Sequence, residues 1–256
     1  MSSLFVNDSV IHDKVELIIF DKDGTLIDIH HYWGSMIKIR AEKITRRWCN
    51  SMECEKYETD LISLMGLELA TGKLKPEGPV GVKSRDYIVS LIKDYVCQHA
   101  KSVSNNDIEL LFKDVDKITE KNLLPLLKIL PGVKQLLERI KQLGVSAVIT
   151  STDITNRAVK TMDILGLKSY FKEIIGGDAV KNTKPSPDLA KLALSKIGCK
   201  PENAVVIGDH SVDILMGIGT GIGTNIGVLN GISRKENFYQ CDCIMVENLL
   251  CVDIRR

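Results

Sequence analysis

Five short runs of apolar residues recur along the chain, and each is followed by polar or glycine-containing sequence. They occupy residues 17–20, 147–149, 174–175, 205–207 and 243–246. Uninterrupted apolar runs of this length indicate strands that are buried on both faces, as in a parallel sheet. From about residue 130 onward the runs alternate with helical patterns, which predicts a doubly wound, Rossmann-like α/β core.

Two helical patterns in this region have clear limits. One begins at Pro131, which we expect at the first helical position, and closes at Gly144. The other covers residues 188–197 and closes at Gly198. Helices of this kind are expected to cover the faces of the sheet.

The sequence between the first apolar run and residue 125 has a different pattern. Apolar residues recur at helical spacing in the stretches 33–48, 87–95 and 108–115. The basic residues within 38–47 are expected to lie on a solvated helix face. Residues 72–81, which include two prolines, are predicted to form a loop between helices. We therefore predict a discontinuous α/β catalytic core, residues 1–28 and 125–256, with an inserted all-helical cap domain, residues 29–124.

Composition narrows the class of protein and its partners. The chain has 256 residues, 44% of them apolar and 26% charged, as in an ordinary soluble globular protein. The net charge of +1 gives no electrostatic reason to expect a nucleic acid or an anionic membrane as partner. No apolar stretch is long enough to span a membrane, and the start of the chain does not resemble a signal peptide. The seven cysteines are irregularly spaced without a CxxC pair, which argues against zinc and favours reduced thiols in a cytoplasmic protein.

The first apolar run leads directly into an acidic motif, Asp21-Lys22-Asp23-Gly24-Thr25. Side chains at the carboxyl end of a buried parallel strand project into the crevice where such folds bind ligands. Asp21 and Asp23 are two residues apart, so in an extended chain both point to the same side, and Gly24 permits a tight turn. We expect Asp28 to be a turn or helix-capping acid.

A second acidic pair follows the run at 205–207. Asp209 is expected at the end of that strand, and Asp213 near the first turn of the next helix. Carboxylates that converge on one crevice repel one another unless a cation compensates them. Oxygen ligands without a cysteine or histidine pattern point to Mg²⁺. His210 is expected to be a loop residue that faces solvent.

Two further elements complete a phosphate site. Thr150 and Ser151 end the strand at 147–149, where hydroxyl and backbone N–H groups can hold phosphoryl oxygens. Lys184 precedes a proline at the entrance of a helix, which keeps it extended. A cation fixed there would balance the carboxylates and the phosphate charge. Lys181 is the weaker candidate for the same role.

These motifs, in this order, resemble the haloacid dehalogenase superfamily, in its phosphatase branch with a helical cap inserted after the first motif. The resemblance is carried by residues 20–28, Thr150, the run 184–187, and Asp209 with Asp213. Within that superfamily, the chain is similar in particular to the phosphoglycolate-phosphatase-like members. The second aspartate of the first motif, Asp23, argues against dehalogenase chemistry, which in this family lacks it.

The resemblance implies a role for each site residue. Asp21 would be the nucleophile that forms an aspartyl-phosphate, and Asp23 would protonate the leaving oxygen and then take a proton from water. Mg²⁺ would be held by Asp21, the backbone carbonyl of Asp23, and Asp209, with Asp213 close by. The residues expected to bind the phosphoryl group are Thr150, Ser151 and Lys184.

Three functions are compatible with the sequence. The first is a phosphatase that hydrolyses a small phosphorylated metabolite. The second is a phosphotransferase or phosphomutase, in which a sugar phosphate replaces water as acceptor. The third is a non-catalytic protein that binds a phosphorylated metabolite. In each case the expected partner is a small-molecule phosphate ester, and the sequence carries no signal of oligomeric state.

Overall fold

The computed structural model describes residues 2–49, 53–80 and 83–256. The chain divides into two compact units, Met1–Asp28 with Leu127–Arg256, and Ile29–Leu126. The strands are β1 (Ser3–Val6), β2 (Ser9–His12), β3 (Leu17–Phe20), β4 (Leu67–Glu68), β5 (Lys73–Leu74), β6 (Ser146–Thr150), β7 (Glu173–Ile175), β8 (Ala204–Gly208), β9 (Thr224–Val228), β10 (Ile244–Val246) and β11 (Val252–Arg255). The α-helices are α1 (Ile29–Trp48), α2 (Cys54–Leu64), α3 (Arg85–His99), α4 (Asn105–Lys121), α5 (Val133–Gln142), α6 (Thr155–Ile164), α7 (Asp188–Ile197) and α8 (Ser211–Thr220).

A six-stranded sheet in the order β10-β9-β8-β3-β6-β7 forms the centre of the first unit. Every neighbouring pair is parallel, and all residues of β3 and β8 are buried. The prediction of a doubly wound α/β core with a parallel sheet is confirmed. Five strands coincide with the apolar runs, whereas β9 was missed because Asn225 and Gly227 interrupt its apolar pattern.

Helices cover both faces of this sheet. On one face, α7 and α8 enclose an apolar cluster that includes Leu17, Ile19 and Leu189. The predicted limits of α7 are confirmed. The prediction for α5 was wrong by two residues, because Pro131 and Gly132 form the turn before it. Gly132 has a φ of +83°, and a side chain there would lie 2.4 Å from the Leu249 backbone carbon.

A small antiparallel sheet, β11-β1-β2, joins the two ends of the chain and was not predicted. Ser3 is paired with Arg255 and Val6 with Val252. Each of these strands has four residues, and only alternate residues of β1 and β11 are buried. The apolar runs that reveal the central strands are therefore absent here.

The second unit, Ile29–Leu126, contains α1 to α4, as its helical pattern predicted. It also contains the short hairpin β4–β5, whose second strand falls in the predicted loop 72–81; Gly81 lies outside the described residues. Arg40 departs from the expected solvated face of α1. It is buried, pairs with Asp116 at 3.0 Å, and its guanidinium carbon lies 4.3 Å from the centre of the Phe112 ring. Within the described residues, no helix combines the length and apolar character that crossing a bilayer requires.

Candidate active site

The carboxyl ends of three neighbouring strands bring the predicted residues together. β3 lies between β6 and β8, with Phe20 level with Ile149 on one side and Ile207 on the other. Asp21, Thr150 and Asp209 therefore lie at or just beyond adjacent strand ends. The Asp21 N–H donates to the Ile207 carbonyl at 2.9 Å, which fixes the backbone of Asp21 where β3 ends.

Lys184 connects the ends of β3 and β6 to the first turn of α8. Its ammonium lies 2.5 Å from Asp21 Oδ1 and 2.7 Å from Asp213 Oδ1, and it donates to the Thr150 carbonyl at 2.8 Å. Only 1% of its side chain is exposed. Burial opposes the charged form, but the two carboxylates outweigh it, so the pKa of Lys184 is raised. The site thus contains a fixed positive charge. Lys181, the weaker candidate, is exposed.

Asp21, Asp209 and Asp213 form the one cluster among the described residues that has metal-ligand geometry. Each offers a carboxylate oxygen, and these oxygens lie within 4.8 Å of one another. Burial raises the pKa of Asp21 to about 7, although Lys184 opposes the shift. Burial and the charges of Asp21 and Asp213 also raise the pKa of Asp209. Three close carboxylates with a single ammonium fit a divalent cation that prefers oxygen ligands.

Glycine makes room for the Asp209 carboxylate. A Cβ on Gly24 or on Gly231 would lie 2.3 Å or 2.0 Å from Asp209 Oδ2, so neither position can carry a side chain. Gly24 also has a φ of +91°, which side chains disfavour. The Ile232 N–H donates to Asp209 Oδ2 at 2.9 Å, and the Thr25 hydroxyl to Oδ1 at 3.4 Å. The sequence analysis missed Gly231 and Ile232 because they follow β9, the strand that it did not detect.

Thr150 places a hydroxyl with unused hydrogen-bonding capacity at the end of β6. The residue is fully buried, and its Oγ1 has no hydrogen-bond partner in the described structure. Such a hydroxyl is costly unless a ligand satisfies it. It is not a helix cap, because α6 begins five residues later, at Thr155. Ser151 is also buried; its N–H donates to the Ile175 carbonyl at 3.0 Å and its Oγ accepts from Asp153 N at 3.1 Å.

Asp23 lies outside the carboxylate cluster but near it. Its charge contributes to the raised pKa of Asp21. Both of its carboxylate oxygens contact the ammonium of Lys22, at 2.8 Å and 2.9 Å. The sequence analysis gave Lys22 no role, since a residue between two aspartates on an extended chain is expected to point away from them. Asp28, the predicted turn or capping acid, precedes α1 and pairs with Lys128 at 3.4 Å.

His210 caps α8, which corrects the expectation of a loop residue that faces solvent. Its Nδ1 accepts from the Val212 N–H at 3.2 Å, and its own N–H donates to Asp213 Oδ2 at 3.1 Å. Burial lowers the pKa of His210, which favours the neutral ring that can accept this bond. The capping interaction fixes Asp213 in the first turn of α8.

Sequence comparison identifies relatives that align with most or with part of the chain. The phosphoglycolate phosphatase of Aquifex aeolicus is 27% identical over 207 residues, which cover 81% of this chain and 82% of that protein. The phosphorylated carbohydrates phosphatase of Thermotoga maritima is 25% identical and covers 86% of this chain and 88% of that protein. Pyrophosphatase PpaX of Halalkalibacterium halodurans is 33% identical, but the match spans only 42% of that protein.

Solved structures share the fold at lower identity. CbbY from Rhodobacter sphaeroides in complex with phosphate matches with a TM-score of 0.61 and 20% identity, over 92% of this chain and 95% of that one. Beta-phosphoglucomutase from Clostridium difficile matches with a TM-score of 0.58 and 20% identity, over 92% of each chain. The pattern that defines the haloacid dehalogenase-like hydrolases matches residues 15–221, most of the chain. This protein therefore belongs to the haloacid dehalogenase-like hydrolases and is a phosphatase of that family.

Proposed function

We propose that this protein is a Mg²⁺-dependent phosphatase that hydrolyses a small phosphorylated metabolite through an aspartyl-phosphate on Asp21. The observation that carries the proposal is the position of the Lys184 ammonium, which contacts Asp21, Asp213 and the Thr150 carbonyl at once. A nucleophile, a fixed cation and a buried, unsatisfied hydroxyl thus meet at one edge of the sheet. This combination suits the transfer of an anionic group.

In the first step, a carboxylate oxygen of Asp21 forms a bond to phosphorus while the ester P–O bond breaks. Asp23 gives its proton to the departing oxygen, so the alcohol leaves neutral. In the second step, Asp23 takes a proton from water, and the resulting hydroxide displaces Asp21 from phosphorus. The products are the alcohol and inorganic phosphate, and both aspartates return to their initial states.

Lys184, Thr150 and Ser151 are the proposed ligands of the phosphoryl group. Lys184 can neutralise part of its charge without moving, because contacts at 2.5 to 2.8 Å already hold the ammonium in place. The Thr150 hydroxyl can donate to a phosphoryl oxygen, which would satisfy a group that is otherwise buried without a partner. Such preorganised donors favour the transition state, where negative charge spreads over the phosphoryl oxygens.

The proposed ligands of Mg²⁺ are Asp21, Asp209 and Asp213, together with the backbone carbonyl of Asp23. The fit rests on three clustered carboxylate oxygens and on the raised pKa values of Asp21 and Asp209, which burial and then the neighbouring carboxylates cause. When bound, the ion supplies charge neutralisation and orients the phosphate. The Gly24 and Gly231 positions keep Asp209 in place for this role.

The proposed substrate is a phosphate monoester of a small sugar or hydroxy acid. This is supported by two relatives that align over most of their length, a phosphoglycolate phosphatase and a phosphorylated carbohydrates phosphatase. We also propose that the unit Ile29–Leu126 acts as a cap that selects the substrate. It is joined to the rest of the chain at only two points.

Borohydride trapping tests the covalent step. Borohydride reduces an aspartyl-phosphate to homoserine with release of phosphate, so turnover in its presence should convert residue 21 to homoserine. Peptide mass spectrometry should detect this change with a phosphorylated sugar and Mg²⁺ present, and should not detect it without substrate. Active enzyme that yields no homoserine at position 21, or yields it at another aspartate, would refute the role of Asp21.

A further inference from the structure

Lys22 is a buried lysine that the mechanism above does not use. Only 2% of its side chain is exposed, although it lies between two acidic site residues. Its ammonium contacts Asp23 Oδ2 at 2.8 Å and Oδ1 at 2.9 Å, and Asp153 Oδ2 at 3.4 Å. A lysine is rarely buried to this extent unless carboxylates compensate its charge. Of these two carboxylates, that of Asp23 lies closer to the Lys22 ammonium.

The bidentate contact restricts the orientation of the Asp23 carboxylate. A general acid must place its oxygen within hydrogen-bond reach of the leaving oxygen, so a freely rotating carboxylate would lose much of its effect. Since both Asp23 oxygens contact a buried ammonium, rotation of the carboxylate would break at least one charged contact. The carboxylate keeps 20% exposure in this arrangement, so it stays accessible to substrate.

We propose that Lys22 is a positioning residue that holds the Asp23 carboxylate for proton transfer to the leaving group. The inference rests on the proposed function, in which Asp23 is the general acid. It assigns no contact between Lys22 and substrate, because only 2% of the Lys22 side chain is exposed.

Asp153 offers the competing, purely structural explanation for a buried Lys22. The Asp153 carboxylate also pairs with Arg157 at 3.4 Å and accepts from the Ile154 N–H at 2.8 Å. It therefore retains partners when Lys22 is removed. Asp153→Asn leaves the Lys22 contact to Asp23 in place, which makes it the matched control. The double variant Lys22→Met/Asp153→Asn removes both charges of the second contact and guards against misfolding of Lys22→Met alone.

The test compares kcat/KM for phenyl phosphate and 4-nitrophenyl phosphate. This parameter reports steps up to the first irreversible one, here phosphoryl transfer to Asp21. Phenolate resembles the tyrosine side chain, with a conjugate-acid pKa of about 10, and needs a proton as it leaves. The less basic 4-nitrophenolate leaves without one. Asp23→Asn should therefore lower kcat/KM for phenyl phosphate by about 10²-fold, and for 4-nitrophenyl phosphate by less than ~10-fold.

Lys22→Met should show the same selective loss, about 10-fold or more on phenyl phosphate, and so should Lys22→Met/Asp153→Asn. Adding Lys22→Met to Asp23→Asn should cause no further loss, because both act through one carboxylate. Asp153→Asn should keep the wild-type ratio of the kcat/KM values for the two substrates. Two results would overturn the positioning role of Lys22 and leave the proposed function intact. One is an equal loss of kcat/KM on both esters in folded Lys22→Met. The other is no loss in Lys22→Met while Asp23→Asn is selectively impaired on phenyl phosphate. If Asp23→Asn itself shows no selective loss on phenyl phosphate, the role of Asp23 as the general acid is refuted instead.

Discussion

Replacement of Lys184 by methionine removes the charge that connects the ends of β3 and β6 to the first turn of α8, while it keeps most of the side-chain volume. The ammonium is the donor in contacts of 2.5 Å to Asp21, 2.7 Å to Asp213 and 2.8 Å to the Thr150 carbonyl. Loss of one preorganised donor to a developing anion lowers kcat by about 10²- to 10³-fold in other enzymes. We expect a loss of at least about 10³-fold here, because Lys184 also opposes the rise in the pKa of the proposed nucleophile, Asp21. Lys184→Arg should retain more activity than Lys184→Ala, since the charge remains.

The same replacement has a separate effect on stability. Breaking a buried ion pair by removing one partner costs about 3 to 5 kcal/mol, which corresponds to roughly 6 to 20 °C in Tm for a chain of this size. Part of this cost disappears when Asp21 takes up a proton. Saturating Mg²⁺ should restore Tm more than it restores turnover, because the cation can neutralise carboxylates but cannot replace the positioned ammonium.

The assay measures kcat and KM at saturating Mg²⁺, with Tm measured on the same samples. Lys181→Met is the matched control, since it removes an exposed lysine three positions upstream, in the same segment before α7. It should change neither kcat nor Tm. A folded Lys184→Met enzyme with turnover within about 10-fold of wild type would refute the argument. If Lys181→Met lowers kcat as much as Lys184→Met does, the effect belongs to the segment before α7 as a whole and not to the Lys184 ammonium.

Three other perturbations follow from the same site. Asp21→Asn should lower turnover by at least ~10³-fold with an unchanged circular dichroism spectrum, and near-normal activity would exclude Asp21 as nucleophile. Asp21→Asn should also raise the Tm of the metal-free protein at pH 8 more than at pH 5. The pKa of Asp21 is raised to about 7 in the folded state, so between about pH 4 and pH 7 the folded state holds a proton that the unfolded state has lost. This carboxylate therefore destabilises the fold progressively as the pH rises to 7, and its removal relieves that effect. A pH-independent difference would contradict that sign. Activity should require Mg²⁺ and fall in Ca²⁺, which can engage both oxygens of Asp21; full activity in excess chelator would disprove metal dependence. Finally, kcat/KM should be higher for small phosphate esters than for a phosphopeptide or a 5′-phosphorylated oligonucleotide, and the reverse preference would refute the proposed cap.

The sequence located the strands of the central sheet reliably where every residue of a strand is buried. Strands enclosed on both faces must be apolar throughout, so β3, β6 and β8 could be located from residue type alone, and their ends identified Asp21, Thr150 and Asp209. Lys184 was a different case. A single lysine before a proline has no distinctive pattern, and only the neighbouring motifs suggested a role for it. Its three contacts depend on the fold of a segment that no local periodicity describes.

The residues that were missed support the site through long-range contacts. Gly231 and Ile232 enclose Asp209, but the strand before them carries Asn225, whose side-chain amide donates to the Ile222 carbonyl, and Gly227, which lies against the Phe238 ring. Those interactions justify polar and small residues in a buried strand, yet they hide it from an apolar pattern. Lys22 was missed for a related reason: strand alternation predicts the direction of a Cβ, whereas a flexible four-carbon side chain can return its ammonium to Asp23.

The distribution of charge in the site favours a divalent cation among the carboxylates of Asp21, Asp209 and Asp213 over one at the side-chain carboxylate of Asp23. Around Asp23, two carboxylates, its own and that of Asp153, face two cations, Lys22 and Arg157, so that group is balanced. Around Asp21, three carboxylates face Lys184 as their one cation among the residues that the structure describes, which leaves two negative charges in a buried environment. A single divalent cation neutralises that excess, whereas a monovalent one does not. Burial, together with this excess of negative charge, raises the pKa values of Asp21 and Asp209. Protons and the proposed cation should therefore compete for these oxygens, so near neutral pH the cation should favour the ionised form of Asp21 that the proposed mechanism uses as its nucleophile.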